Sequence, residues 1–277
     1  MERVELRTIE DLDKLGRPYV RKLLREWDFA GEMMEWAKTV AVKGMQFTST
    51  YTWNKDRNQA RFHPSSLKHS CDMYLFLQLV GEQENKKKQP QQAVFDMGTA
   101  VHLMMNYYMH TLAIDRGFVY NDEVALWKTS RVADAYQLCG NTDGVFEREL
   151  EVGGVRLSLR ALVDWKSINS GGFSALRESV GTDYEKQMHA YMVTGDIPVT
   201  FVFYVNKDNS VFKSIPVLFD TKTWSPLGKR LRGIIAIADE MREPQKTVGR
   251  HCYGCPYLDK CEPPITSEKR RKREPRL

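Results

Sequence analysis

Three cysteines crowd the C-terminal part of the chain as Cys252-Tyr-Gly-Cys255-Pro-Tyr-Leu-Asp-Lys-Cys261, and a fourth, Cys71, follows the segment HPSSLKHS far upstream. No other feature constrains the fold as much. Thiolates at such short intervals on a tight turn can converge on one centre, and four of them satisfy either tetrahedral zinc or a cubane iron–sulfur cluster. Zinc sites usually present two close pairs; one distant cysteine with a tight trio suits the cluster better. A centre bonded to both parts ties together most of the protein and supplies folding free energy directly, so its role is chiefly structural. The plainer readings are reduced core cysteines or disulfides. The segment MERVELRTIEDLDKL has no apolar stretch of the secretory kind, which argues against disulfides. Cys139, beside Gly140 on an expected strand, reads as a small core residue rather than a ligand.

The chain has enough apolar content, 42% of 277 residues, to bury a real core. Residues 1–60 carry helical apolar spacing at Leu23, Leu24, Trp27, Phe29, Met33, Met34 and Trp36, so amphipathic helices are expected there, with no chemistry assigned. The polar stretch GEQENKKKQPQQ reads as a loop between two helices, CDMYLFLQLV and AVFDMGTAVHLMMNYYMHTLAI. From about residue 137 short apolar segments take over, and VRLSLRALVDW alternates like a strand. YEKQMHAYMV reads as a helix, VTFVFYV and VFKSIPVLF as a hairpin about NKDNS, and a last helix is expected around 227–241. The fold class is α/β, a central mixed sheet flanked by helices, with a helical N-terminal region and a cysteine staple. The division is 1–60, a catalytic unit at 61–265, and a basic tail at 266–277.

Much of the formal charge of +5 comes from that tail, Lys269, Arg270, Arg271, Lys272, Arg273 and Arg276. Such a run is ordinarily a solvated end, with phosphate contact the second reading. No apolar run reaches the roughly 20 residues a membrane span needs, so a soluble, intracellular protein is expected.

The chemistry sits around Asp164-Trp165-Lys166. Strand side chains repeat with period two, so the Asp164 carboxylate and the Lys166 ammonium share a face. If Asp143 comes from the neighbouring strand or turn, two carboxylates meet, and such oxygen donors suit magnesium or manganese. Phosphodiester hydrolysis needs an activated water and stabilisation of a negatively charged transition state, and Lys166 could position or help deprotonate that water. Taken alone, an Asp-x-Lys is an exposed ion pair. On an expected helix, Gly98 and other small residues would permit close packing, and His102 could complete a metal shell, although a lone helical histidine is ordinarily a hydrogen-bonded core residue. Gln187 and Tyr191, four apart, share a helix face and could hold water or a phosphate, against a default of helix packing. Glu147, Glu149 and Glu151 compete with Asp143 for its role.

In order, Ser65-Ser66-x4-Cys71, Gly98-x3-His102, Gly140-x2-Asp143-Gly144, Asp164-x-Lys166, Gln187-x3-Tyr191 and the cysteine trio resemble the Cas4-like and RecB-like iron–sulfur branch of the PD-(D/E)XK nuclease superfamily, including phage Cas4-like exonucleases, over about residues 63–262. The resemblance implies His102, Asp143, Asp164 and the Trp165 carbonyl as ligands of Mg2+ or Mn2+, and Lys166 as the catalytic lysine. It implies Gln187 assisting catalysis, Tyr191 contacting DNA, and a 4Fe-4S cluster on Cys71, Cys252, Cys255 and Cys261. The expected activity is a DNA exonuclease on single strands or ends, in recombination, repair, phage replication or CRISPR-type processing, in the cytoplasm of a bacterial cell or phage-infected host. Asp164 stands where many relatives use Glu, a change the superfamily tolerates. Residues 1–60 match nothing in the family, so a protein partner or a DNA-end preference is expected of them. The competing readings are a catalytically silent DNA-binding scaffold subunit and a zinc-bound interaction module.

Overall fold

The computed structural model describes residues 1–39, 60–82, 84, 92–252 and 255–261. One mixed sheet organises them. Its strands are β1 (Glu2–Leu6), β2 (Val119–Val124), β3 (Thr142–Val152), β4 (Val155–Ile168), β5 (Val199–Asn206) and β6 (Phe212–Leu218). The order is β2-β3-β4-β5-β6, with β1 beside β4. The β3 and β4 strands form a long hairpin whose two-residue turn, Gly153-Gly154, needs positive φ at both positions (58° and 74°), as the twist of a tight hairpin requires. β4 is long enough to serve two neighbours on its far edge: its first half pairs in parallel with β1 and its second half in parallel with β5. Its sequence turns from alternating to continuously apolar because both faces of its second half are covered.

The helices are α1 (Ile9–Leu15), α2 (Arg17–Arg25), α3 (Phe29–Thr39), α4 (Asp72–Leu79), α5 (Gln92–Arg116), α6 (Arg131–Ala135), α7 (Ser170–Ser174), α8 (Thr182–Gly195) and α9 (Thr221–Asp239). Alternation along β4 separates two layers. Trp165 points to α5, where its indole N–H meets Asn106. Lys166 points the opposite way, to α8, where it lies 5.4 Å from the Tyr184 ring. The Trp165 face is aromatic: Phe29 packs on Phe146, Phe201 and Phe203 with centroids 5.0–5.6 Å apart. Such rings contribute beyond their buried area when they meet edge to face.

The expected sheet, its hairpins and the flanking helices are present, and two expectations need correction. The N-terminal stretch is not wholly helical, because Glu2–Leu6 is a strand with Val4 and Leu6 turned inward. Five residues with charged alternates give too short a pattern to stand out beside the helical spacing that follows. Phe29 of this stretch is fully buried in the common core. The last helix begins at Thr221, ahead of the expected 227. Pro226 reads as a breaker, but Asp220 caps the helix by accepting from Lys222 N at 3.0 Å, and the proline falls inside. The basic tail, most of the 81–92 loop and residues 40–59 lie outside the described residues.

One ion pair ties α3 to the sheet. Glu32 accepts two bonds from Arg148, at 2.7 and 3.0 Å, and one from the Trp27 indole at 3.0 Å. Burial opposes ionisation of Glu32, but Arg148, Trp27 and Arg116 outweigh it and hold its carboxyl below the usual value. A depressed acid contributes stability above its unfolded pKa, roughly 4.3, and loses it as pH falls through the folded value. Glu32→Gln is therefore expected to cost roughly 1.5–3 kcal/mol at neutral pH, a gap that urea titrations should find closing below about pH 4. An equal gap at both pH values contradicts the assignment.

Candidate active site and cysteine pocket

The β3–β4 register places the first carboxylates. Gly144 stands opposite Val163 in the antiparallel ladder, so Asp143 and Asp164 are the next cross-strand pair. Asp164 and Lys166 share the α8 face as expected, with Nζ 2.6 Å from Asp164 Oδ2. From α5, His102 brings Nδ1 to 3.6 Å from Asp143 Oδ2, and the same carboxylate oxygen accepts the Trp165 backbone N–H at 2.7 Å. On α8, Gln187 hydrogen-bonds the Tyr191 hydroxyl, which lies within the field of Asp143 and Asp164. Thus all the residues expected at the site meet at one end of the β3–β4 hairpin.

Glu147 and Glu149 do not compete with Asp143. They lie farther down β3, Glu147 paired with Arg7 and Arg160 and Glu149 with Arg3 and Arg156. Glu151 faces Arg156 across the ladder. A Cβ at Gly98 would meet nothing within 4 Å among the described residues.

The electrostatics set protonation. Burial pushes the Asp164 carboxyl up to about 6, with Lys166 opposing the rise and Asp143 adding to it. Burial also works against the Lys166 ammonium, but the carboxylates of Asp164 and Asp143 outweigh it and hold its pKa above the usual lysine value. Burial, reinforced by those carboxylates, raises the Tyr191 phenol, which therefore stays a proton donor. Asp164 Oδ2 is buried and, apart from the ion pair with Lys166, has no hydrogen bond of good geometry. Among the described residues no three His, Cys, Asp or Glu side chains close on a single point. Asp143 is turned to the Trp165 amide and Asp164 to Lys166.

Several groups here carried no sequence signal. Asn106, one turn beyond His102, accepts from both Trp165 and Tyr120. Glu123, at the end of β2, has φ of 49° and stands opposite Asp143 in the β2–β3 register. The one available cue was an amide at i+4 from a candidate histidine within an apolar helix.

The second centre lies at α4. Cys71 is its N-cap residue, and Cys71, Cys252, Cys255 and Cys261 line one cavity of about 200 Å³ together with Tyr74, Lys246, His251 and Tyr257. None of the four is joined in a disulfide to another described cysteine. Burial and the neighbouring Cys71 and Cys255 push the Cys261 thiol up, so the sulfurs act on one another across this cavity. Arg230 of α9 bonds Asp72 at 2.6 Å and the His69 carbonyl at 2.8 Å, fixing the start of α4. Cys139 is buried just before β3 rather than on it, with Sγ 3.6 Å from the His63 ring nitrogens and its thiol raised by burial to about 11.

No protein-family model matches the sequence, and no curated protein matches it. Among solved structures, an alkaline exonuclease from Laribacter hongkongensis (LHK-Exo) aligns with a TM-score of 0.45 at 14% identity, over 66% of this chain and 90% of that one. LHK-Exo in complex with dAMP aligns at 0.47 and 13% over the same shares. A protein designated SSO0001 aligns at 0.37 and 11%, over 86% of this chain and 95% of that one. Likenesses this distant assign no residue a role. No helix among the described residues is long and apolar enough to cross a membrane.

Proposed function

We propose that the chain is a divalent-metal-dependent deoxyribonuclease of the PD-(D/E)XK type, acting on single-stranded DNA or DNA ends and stapled by a 4Fe-4S cluster. One observation carries the reading: Asp143 and Asp164 oppose each other on adjacent strands, with Lys166 2.6 Å from Asp164 on the same face. A surface Asp-x-Lys pair needs neither the second carboxylate nor burial; here the Asp164 side chain is 6% exposed and Lys166 19%.

The residue types suit a hard cation. Asp143, Asp164, His102 and the Trp165 carbonyl would hold Mg2+ or Mn2+, and the buried Asp164 oxygen without a hydrogen bond is one such donor. A bound divalent ion supplies polarisation of the phosphate and a more acidic water. Lys166 is held protonated by its carboxylate neighbours, so it offsets charge developing on the phosphate and orients the attacking water instead of serving as a free base. Gln187 fixes the Tyr191 hydroxyl, which stays a donor and can bond a phosphate oxygen or a water.

The cysteine cavity suits a cluster. Four thiols from two distant segments line it, and one distant cysteine with a tight trio matches a cluster better than the two close pairs usual for zinc.

Digestion of linear and circular single-stranded DNA with Mn2+ tests the activity and its direction. Loss of the linear form with survival of the circle is expected. Cutting of both at equal rates overturns action from ends, and survival of both overturns the nuclease reading.

A further inference from the structure

One buried amide on α5 joins β4, which carries Asp164 and Lys166, to β2 beside Asp143. Asn106 Oδ1 accepts the Trp165 indole N–H and the Tyr120 hydroxyl, each at 2.7 Å, and the three side chains are almost wholly buried. Trp165 lies between Asp164 and Lys166 on β4, and its backbone N–H is donated to Asp143 of β3. Tyr120 comes from β2, and its oxygen also lies 3.4 Å from the Asp143 carbonyl. Asn106 itself follows His102 by four residues, so both sit on one face of α5.

Gly144, next to Asp143, keeps this arrangement possible. A Cβ there would fall 2.4 Å from Tyr120 Cε2 and 2.5 Å from its oxygen. The phenol therefore lies flat on the strand beside the carboxylate, where any larger residue would push it away. Burial, with Asp122 adding to it, raises the Tyr120 phenol, which stays protonated and keeps donating to the amide.

We propose that Asn106 is a positioning residue for the proposed metal site, locking the helix that carries His102 to the strands that carry Asp143 and Asp164. The inference rests on the nuclease reading above. Asn106 touches neither substrate nor ion. It fixes the plane of the Trp165 indole, and with it the backbone N–H that holds Asp143. An amide oxygen has two lone pairs, and both are used here, so an apolar replacement of the same size leaves the buried Trp165 N–H without its partner and the Tyr120 hydroxyl with only the 3.4 Å contact to the Asp143 carbonyl.

The test is direct Mn2+ binding to the full chain, followed by the Mn2+ electron paramagnetic resonance signal, beside the Mn2+ concentration that gives half-maximal DNA cleavage. Asn106→Leu is expected to weaken both by roughly 10–100-fold, the range seen when a partner of a ligand is removed. Asn106→Asp, which keeps an acceptor oxygen in place, is expected to restore both to within a few-fold of wild type. A purely structural role would lower the thermal midpoint of Asn106→Leu without moving Mn2+ affinity measured well below that midpoint, and that result overturns the proposal. If Asn106→Leu does not fold, Trp165→Phe removes one of the two donors alone; a smaller loss of Mn2+ affinity supports the proposal and an unchanged affinity overturns it. A wild-type chain that binds no Mn2+ overturns the metal reading and this inference with it, whereas equal affinity of wild type and Asn106→Leu overturns this inference alone.

Discussion

Cys255→Ala is expected to yield a colourless protein whose thermal midpoint falls by about 10–20 °C. Cys255 lines the cavity with Cys71, Cys252 and Cys261, and a centre bonded to all four closes a loop of roughly 180 residues between Cys71 and Cys252. Treated as a cross-link, such a loop removes on the order of 5 kcal/mol of chain entropy from the unfolded state. For a domain somewhat under this length each kcal/mol is worth about 2–4 °C. Direct thiolate bonding adds to the loss, since a cluster holds the folded form by its own binding energy. Cys139→Ala is the control, because its sulfur lies beside His63 and outside the cavity; it should leave the colour intact. A brown Cys255→Ala protein with an unchanged midpoint would remove the cluster from this cavity.

Lys166→Ala is expected to lower the cleavage rate by about 10³-fold while leaving the brown colour and DNA binding largely unchanged. The ammonium is the one cation among the described residues within 3 Å of the Asp164 carboxylate, and its loss removes the positive charge that balances the Asp143 and Asp164 carboxylates against the phosphate. Lys166→Arg should not rescue the rate. A planar fork on a longer, bulkier head cannot take the position of a compact ammonium between Asp164 and the Tyr184 ring. Single-turnover cleavage with saturating DNA separates the two effects, since a purely structural lysine would weaken DNA binding or folding and spare the rate of the bound complex.

The sheet was legible from β4 because VRLSLRALVDW changes from alternating to continuously apolar as its second face becomes covered. β1 was not, since five residues with two inward positions resemble any short polar stretch. The Asp164 and Lys166 pair could be read from period two alone. That Asp143 lies opposite Asp164 depends on the β3–β4 register, which the Gly153-Gly154 turn fixes. The cysteines announced a shared centre by residue type and spacing, but that Cys71 caps α4 on the same cavity depends on where α4 and α9 meet. Glu123 gave no signal, and Asn106 only its place four residues after His102. Asn106 is one polar residue in LMMNYYMH, and its value comes from Trp165 and Tyr120, 59 and 14 residues away in sequence. Glu123 acquires its position from a cross-strand partner and a left-handed backbone that no local pattern encodes.

The most direct test of the account is Mn2+-dependent digestion of end-labelled single-stranded DNA by anaerobically purified wild-type protein and Asp164→Ala, with absorbance spectra recorded on the same samples. Both proteins are expected to absorb broadly near the blue, and only the wild type is expected to shorten the DNA. Wild-type protein that is brown and binds DNA yet leaves it uncut contradicts the account and makes the chain a DNA-binding scaffold.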